Sequence, residues 1–265
     1  MYATSYHRAS SVEDAVKTKA THDEGKYLSG GMTLIATMKQ RLAAPSDLID
    51  LRHIPALRGI KVEGRKVTIG AATPHADVAA SRELKAVCPA LCQLAGHIGD
   101  PHVRHMGTIG GSIANNDPAA DYPAGLLGLG ATIVTDRRSL VADEFFIGLF
   151  ETALEEGEMV TAVTFDAPEK AGYAKFNNPA SRFAMTGVFV AKTAGGVRVA
   201  VTGAGSDGVF RQAGMEQALA GNWSADAIAN VAVDASKLMS DLHANAEYRA
   251  NLVKVMAKRA VVSAC

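Results

Sequence analysis

Residues 97–123 read HIGDPHVRHMGTIGGSIANNDPAADYP, a stretch with no clear helical or strand periodicity and with a glycine pair, Gly110-Gly111, flanked by Thr108, Ile109 and Ser112. A run of this length without a repeat is uncommon in a packed domain unless it serves a function. A second pair, Gly30-Gly31, stands in SGGMTLIATMKQRLAAPSDLIDL at 29–51 and also precedes a helix-favouring segment. Glycines lack a Cβ and let successive N–H groups turn toward one anion, so two halves of a phosphate cradle are one reading. A pair of tight turns that pack closely is the other, and the residues alone leave both open. Asp121, just past Pro118 on a following helix, is placed to accept bonds from ligand hydroxyls.

Composition narrows the classes. The chain has 265 residues, 48% of them hydrophobic, which is enough for one sizeable core or two to three small ones. Lys plus Arg and Asp plus Glu both number 27, and without a basic excess or run no nucleic-acid partner is expected. The longest apolar stretch, AGLLGLGATIV at 124–134, is too short to span a bilayer, and the N-terminal MYATSYHRASSVEDAVK has no apolar signal core. A soluble, cytoplasmic protein is expected. Cysteine is scarce: Cys88, Cys92 and Cys265 do not supply a disulfide framework, an iron–sulfur cluster or a zinc site, and the first two read as small buried residues on one helix face.

Along the chain, Ser10 and Glu13 make a capping-box pattern for a helix ending near Asp23, followed by a short strand at Tyr27-Leu28. Leu34, Ile35, Met38 and Leu42 fall on one helical stripe, Pro45 stops it, and LIDL at 48–51 reads as a strand. Ile60, Val62, Val67 and Ile69 alternate around a turn and predict a hairpin. Helices are predicted at 75–86, 89–97 and near 118–128, then a strand at ATIVT. GEMVTAVTFDAPEKAG at 157–172 supplies a strand and a connector, strands YAKF, GVFVA and VRVAVTG follow, and from Gly214 onward the sequence is almost entirely helix-favouring. The expected units are 1–56, 57–168 and 169–265.

Other constellations carry less. Gly203-Ala204-Gly205-Ser206-Asp207-Gly208 is a formal GxGxxG after a strand, but no helix, second parallel strand or distant acid follows as a dinucleotide loop requires, so a hairpin or bulge is expected. His97, Asp100, His102 and His105 could be drawn as a metal site, yet Gly99 and Pro101 break the spacing and a solvent-facing loop serves equally well. No GxSxG is present and no cysteine sits beside a histidine in an electropositive setting, so acyl transfer is unsupported.

Together, SGGMTLIATMKQRLAAPSDLIDL, HIGDPHVRHMGTIGGSIANNDPAADYP and SDLHANAEYRANLVKVMAKRA at 240–260 resemble, in order and over nearly the whole chain, the FAD-binding subunit of the molybdenum hydroxylases, as in carbon monoxide dehydrogenase medium chains and the flavin domain of xanthine dehydrogenase. The resemblance implies an α+β, PCMH-type fold: two α/β subdomains gripping FAD, then a C-terminal α+β domain of antiparallel sheet plus helices. The first unit would supply the cofactor-binding segment Leu28, Ser29, Gly30, Gly31, Met32, Thr33 and Leu34, of which Gly30 to Leu34 would line the pyrophosphate by motif position, with Thr108, Ile109, Gly110, Gly111 and Ser112 closing it from the other side. Asp121 falls on an acidic FAD contact, Ile98 and Val160 on apolar contacts, Lys175 near the flavin ring and Phe183 on an aromatic position beside it.

Met32 and Thr33 stand where polar or acidic residues are frequent, and Phe183 where related chains can carry tyrosine. The resemblance further implies an electron-transfer role toward an external acceptor, with molybdopterin and [2Fe-2S] clusters on large and small partner chains in a dimer of heterotrimers. Lys175 would then stabilise the anionic reduced flavin. The alternatives are a cofactor-free scaffolding subunit and a nicotinamide-dependent dehydrogenase.

Overall fold

Three β-sheets, each with its own helices, organise the chain in a computed structural model that describes residues 2–265. The first sheet is parallel, with β1 (Ser5–Arg8), β2 (Lys26–Leu28) and β3 (Asp47–Asp50) in the order β1-β3-β2. Parallel neighbours need crossover helices, here α1 (Val12–Ala20) and α2 (Leu34–Lys39). The cap of α1 lies one residue later than its sequence suggests: Ser11 accepts from the Asp14 N–H, and the Asp14 carboxylate accepts from the Ser10 N–H. The α2 helix stops before Leu42, which is exposed, because Arg41 takes a left-handed φ of 60° and turns the chain away from the stripe.

The second sheet is antiparallel, in the order β4 (Ile60–Glu63), β5 (Lys66–Gly70), β10 (Val160–Asp166), β6 (Thr132–Thr135) and β7 (Ser139–Val141). A short ribbon of β8 (Phe146–Gly148) and β9 (Glu151–Thr152) follows α9 (Ala142–Phe145). Between β5 and β6 come α3 (His75–Ala80), α4 (Arg82–Val87), α5 (Pro89–Gly96), α6 (Pro101–Met106), α7 (Ile109–Asn115) and α8 (Tyr122–Leu129). The stretch without periodicity is therefore two short capped helices: Asp100 caps α6 by accepting from Val103 N–H, and Thr108 caps α7 by accepting from Gly111 N–H. Cys88, at the α4–α5 junction, and Cys92 are buried. Burial pushes the Cys88 thiol up to about 12.

The third sheet runs β11 (Lys170–Asn177), β12 (Ala184–Thr193), β13 (Gly196–Thr202) and β14 (Phe210–Arg211), antiparallel throughout. The GxGxxG segment joins β13 to β14 as a hairpin connection. α10 (Ala213–Gly221) and α11 (Ala246–Ser263) cover one face, while most of 222–245 is irregular with a single 3₁₀ turn at Ala235–Lys237. Helix-favouring composition there is overridden by capping aspartates: Asp234 accepts from Ser236 N–H, and Asp241 accepts from His243 and Ala244 N–H.

Every residue of α8 is buried. It packs with Leu91 and Leu94 of α5 in a core that also contains Val67 and Ile69 of the second sheet and Tyr173, Phe189 and Ala200 of the third. The apolar run that is too short for a membrane is thus a helix enclosed on all sides. Leu94 is fully buried in this core, and Leu94→Ala is expected to cost about 2–5 kcal/mol of stability. Urea unfolding followed by circular dichroism measures that loss.

Candidate functional site

Between the first and second sheets lies a cavity of about 720 Å³, a size suited to a nucleotide-containing ligand. Its walls bring the two glycine turns together. Ser29 Oγ and Thr108 Oγ1 are 2.8 Å apart, across 79 residues of sequence. A Cβ on Gly30 would overlap the Met106 carbonyl oxygen, and one on Gly110 would lie 2.5 Å from the Ala71 Cβ. Gly31 adopts a left-handed φ of 71°, which an L side chain would strain.

The two turns differ in what they offer. No acceptor exists among the described residues for the backbone N–H groups of Gly30, Gly31, Met32, Thr33 and Leu34. In the second turn, Ile109 N–H donates to Thr73 O at 3.2 Å, Gly110 N–H to Ala71 O at 2.8 Å, Gly111 N–H to Thr108 Oγ1 at 3.1 Å and Ser112 N–H to Thr108 O at 3.0 Å. The first turn carries the open donors; the second holds itself against the loop after β5 and presents hydroxyls. The close-packed turn reading describes the second pair, while the first keeps its amides open.

Leu28, Ser29, Gly30, Gly31, Met32, Thr33, Leu34, Ile98, Thr108, Gly110, Gly111, Ser112, Asp121, Val160 and Phe183 all line the cavity. Ile109 does not: its side chain is fully buried in the core on the other side of the wall. Phe183 is 47% exposed at the rim, next to Arg182, whose φ is 63°.

Lys175 also stands outside the lining, with a side chain only 1% exposed. Its Nζ donates to an Asp121 carboxylate oxygen at 2.9 Å and to the His97 carbonyl at 3.1 Å. Tyr173 OH donates to the same carboxylate. Burial drives the Asp121 pKa up, while the Lys175 charge and the Tyr173 hydroxyl pull it back. These two charges therefore answer each other at the cavity wall, with Asp121 in the lining and the Lys175 ammonium behind it.

His97, Asp100, His102 and His105 do not gather. Asp100 is spent on the α6 cap, and His105 Nδ1 lies 2.6 Å from the Pro101 carbonyl.

Several wall residues escaped sequence reading. The loop 154–159, with Glu158, Ser181 and Arg182 bring polar groups to the cavity. Glu158 is held down to about 2 by Arg138, whose guanidinium donates to it at 2.9 and 3.0 Å. His75 lines the cavity from α3, 5% exposed, with its Nδ1 unpartnered. The Asp100-Pro101 pair, a cap residue followed by proline at the first helical position, is the one signal that reveals α6 in advance. Nothing in Thr73-Pro74-His75 marks the histidine.

The chain belongs to the family of the FAD binding domain in molybdopterin dehydrogenase, whose model matches residues 2–167. It is an FAD-binding subunit of a molybdenum-containing oxidoreductase, and the open amides, the side-chain-free approach at Gly30 and the cavity volume fit that cofactor. The chain is 34% identical to the carbon monoxide dehydrogenase medium chain of Hydrogenophaga pseudoflava, over 98% of this chain and 96% of that one. It is 32% identical to the nicotine 6-hydroxylase medium subunit of Paenarthrobacter nicotinovorans, over 99% and 97% respectively. A solved carbon monoxide dehydrogenase from Hydrogenophaga pseudoflava, a form lacking the Mo-pyranopterin moiety of its cofactor, superposes with a TM-score of 0.87 at 34% identity, covering 99% of this chain and 97% of that one. No helix of the described residues is long and apolar enough to cross a membrane.

Burial lowers the His75 pKa from 6.5 to about 4. The unfolded chain therefore takes up a proton that the folded chain refuses, and stability present above pH 6.5 is lost as the pH falls toward 4. The loss is on the order of 3 kcal/mol. His75→Leu is expected to flatten the fall in melting temperature across this window, measured side by side with the native chain.

Proposed function

We propose that this chain holds FAD in the cavity between its first two sheets and passes electrons from iron–sulfur clusters on a partner chain to an external acceptor. The observation that carries this reading is the row of unanswered backbone donors from Gly30 to Leu34, in a turn whose neighbour, Met106-Gly107, leaves no room for a side chain at Gly30. Such donors match the oxygens of a diphosphate, and fixed dipoles need no reorganisation to hold it. The hydroxyls of Thr108 and Ser112 complete the polar wall, while Ile98 and Val160 offer apolar surface. Phe183 supplies an aromatic face at the rim, where an isoalloxazine edge would remain accessible.

Bound FAD supplies the step between two-electron and one-electron chemistry, and this chain supplies binding, orientation and charge around it. The units 1–56 and 57–168 grip the cofactor in this proposal, and 169–265 supports the wall through Tyr173 and Lys175. With only three cysteines the chain has no ligand set for an iron–sulfur cluster, so the [2Fe-2S] centres belong to a small partner and the molybdopterin to a large one. The medium subunits among its relatives support such an assembly. A dimer of heterotrimers in the cytoplasm is the form we propose.

Gly30→Val in the native complex is expected to weaken FAD retention at least tenfold, about 1.4 kcal/mol or more. The measurement is flavin released per complex, identified as FAD rather than FMN by chromatography. A native complex that carries no flavin would instead support a scaffolding subunit.

A further inference from the structure

Away from the cavity, His7 on β1, Asp47 on β3 and His22 after α1 bring one ligand atom each to within 4.8 Å of one another. The parallel register sets Ser5 opposite Asp47, so His7, two residues on, projects from the same face of the sheet. The α1 crossover returns His22 over that face, with its ring 4.7 Å from the His7 ring. Asp47 is nearly buried, and the imidazoles are about one-third open to solvent.

Hydrogen bonding leaves this group one cation short. His22 Nδ1 lies 2.8 Å from the Thr18 carbonyl, which only accepts, and 3.0 Å from the Thr21 hydroxyl, whose own proton goes to that carbonyl at 2.9 Å, so Nδ1 carries the proton. The Nε2 of a neutral His22 ring then turns a lone pair toward Asp47 Oδ1, 3.6 Å away. A proton shared by His7 Nε2 and Asp47 Oδ1, which are 2.6 Å apart, satisfies that contact and leaves the one from His22 unanswered.

We propose that His7, His22 and Asp47 bind a divalent metal ion of the zinc type. Two imidazoles and a carboxylate are borderline ligands suited to it, and ligand atoms around a tetrahedral zinc stand about 3.3 Å apart. The His22–Asp47 separation of 3.6 Å already approaches this value, and the His7–Asp47 pair, at 2.6 Å, has to open by about 0.7 Å to reach it. The Thr18 carbonyl acts as the outer-shell acceptor that fixes the ring of a metal-bound histidine. Water fills the fourth position. The ion ties the turn after α1 to both outer and central strands of the first sheet, directly before Asp23, Gly25 and Lys26, which line the cavity.

The test uses the assembled native complex, stripped with a chelator, dialysed against micromolar zinc and then against metal-free buffer. Zinc is counted per chain by mass spectrometry, in the native complex and in His22→Ala and His7→Gln variants. The native complex is expected to retain about one more zinc per chain than either variant, and X-ray absorption at the zinc edge to show two imidazoles per added ion. Partner-bound zinc cancels in the difference. Equal zinc in native and variant complexes overturns the proposal, as does added zinc whose absorption spectrum lacks imidazole. Having two variants at exposed imidazoles keeps the comparison available if one of them fails to assemble.

Discussion

The approach of two turns, with Gly30 against the Met106 carbonyl and Ser29 Oγ against Thr108 Oγ1, is the constraint on which the site depends. It forces the parallel sheet and the antiparallel sheet to meet at backbone distance. A side chain at position 30 would pry them apart. Because the turns touch, the donors from Gly30 to Leu34 line the floor of one cleft shared by both sheets, where a single ligand can meet them.

Rigidity of the second turn comes from outside it. The amides of Ile109 and Gly110 are pinned by Thr73 and Ala71, the residues that follow β5, so the strand positions the wall directly. Behind the wall, Asp121 joins α8 to β11 through Tyr173 and Lys175. A buried charge of this kind is tolerated only when paired and hydrogen-bonded, and both conditions are met by residues of the third sheet. The geometry of the cavity therefore draws on all three sheets, although its lining comes chiefly from the first two.

Much of this was legible beforehand. Alternation at Ile60, Val62, Val67 and Ile69 gave the β4–β5 hairpin because the strands bury one face, and LIDL gave β3 because a central parallel strand is buried on both. The glycine pairs marked the site because close backbone approach leaves few other residue choices. What the residues could not reveal was the difference between the pairs, since an amide's availability depends on a distant acceptor such as Ala71 O. The same holds for Lys175, whose partner lies 54 residues away, and for His75, whose burial is a product of packing alone. Short capped helices such as α6 and α7 escape periodicity altogether, having too few turns to display one.

The complete enclosure of α8 reaches beyond the cavity. The family match ends at residue 167, yet one flank of this helix is roofed by Phe189 and Ala200, which come later in the chain. A polypeptide truncated at that point would present an uncovered strip of leucine and glycine to water, an adhesive surface prone to self-association. Inheritance of the earlier segment as a recognisable module therefore does not make it an autonomous folding piece; the last hundred residues act as its lid during synthesis, and the ribosome must deliver them before the helix finds shelter.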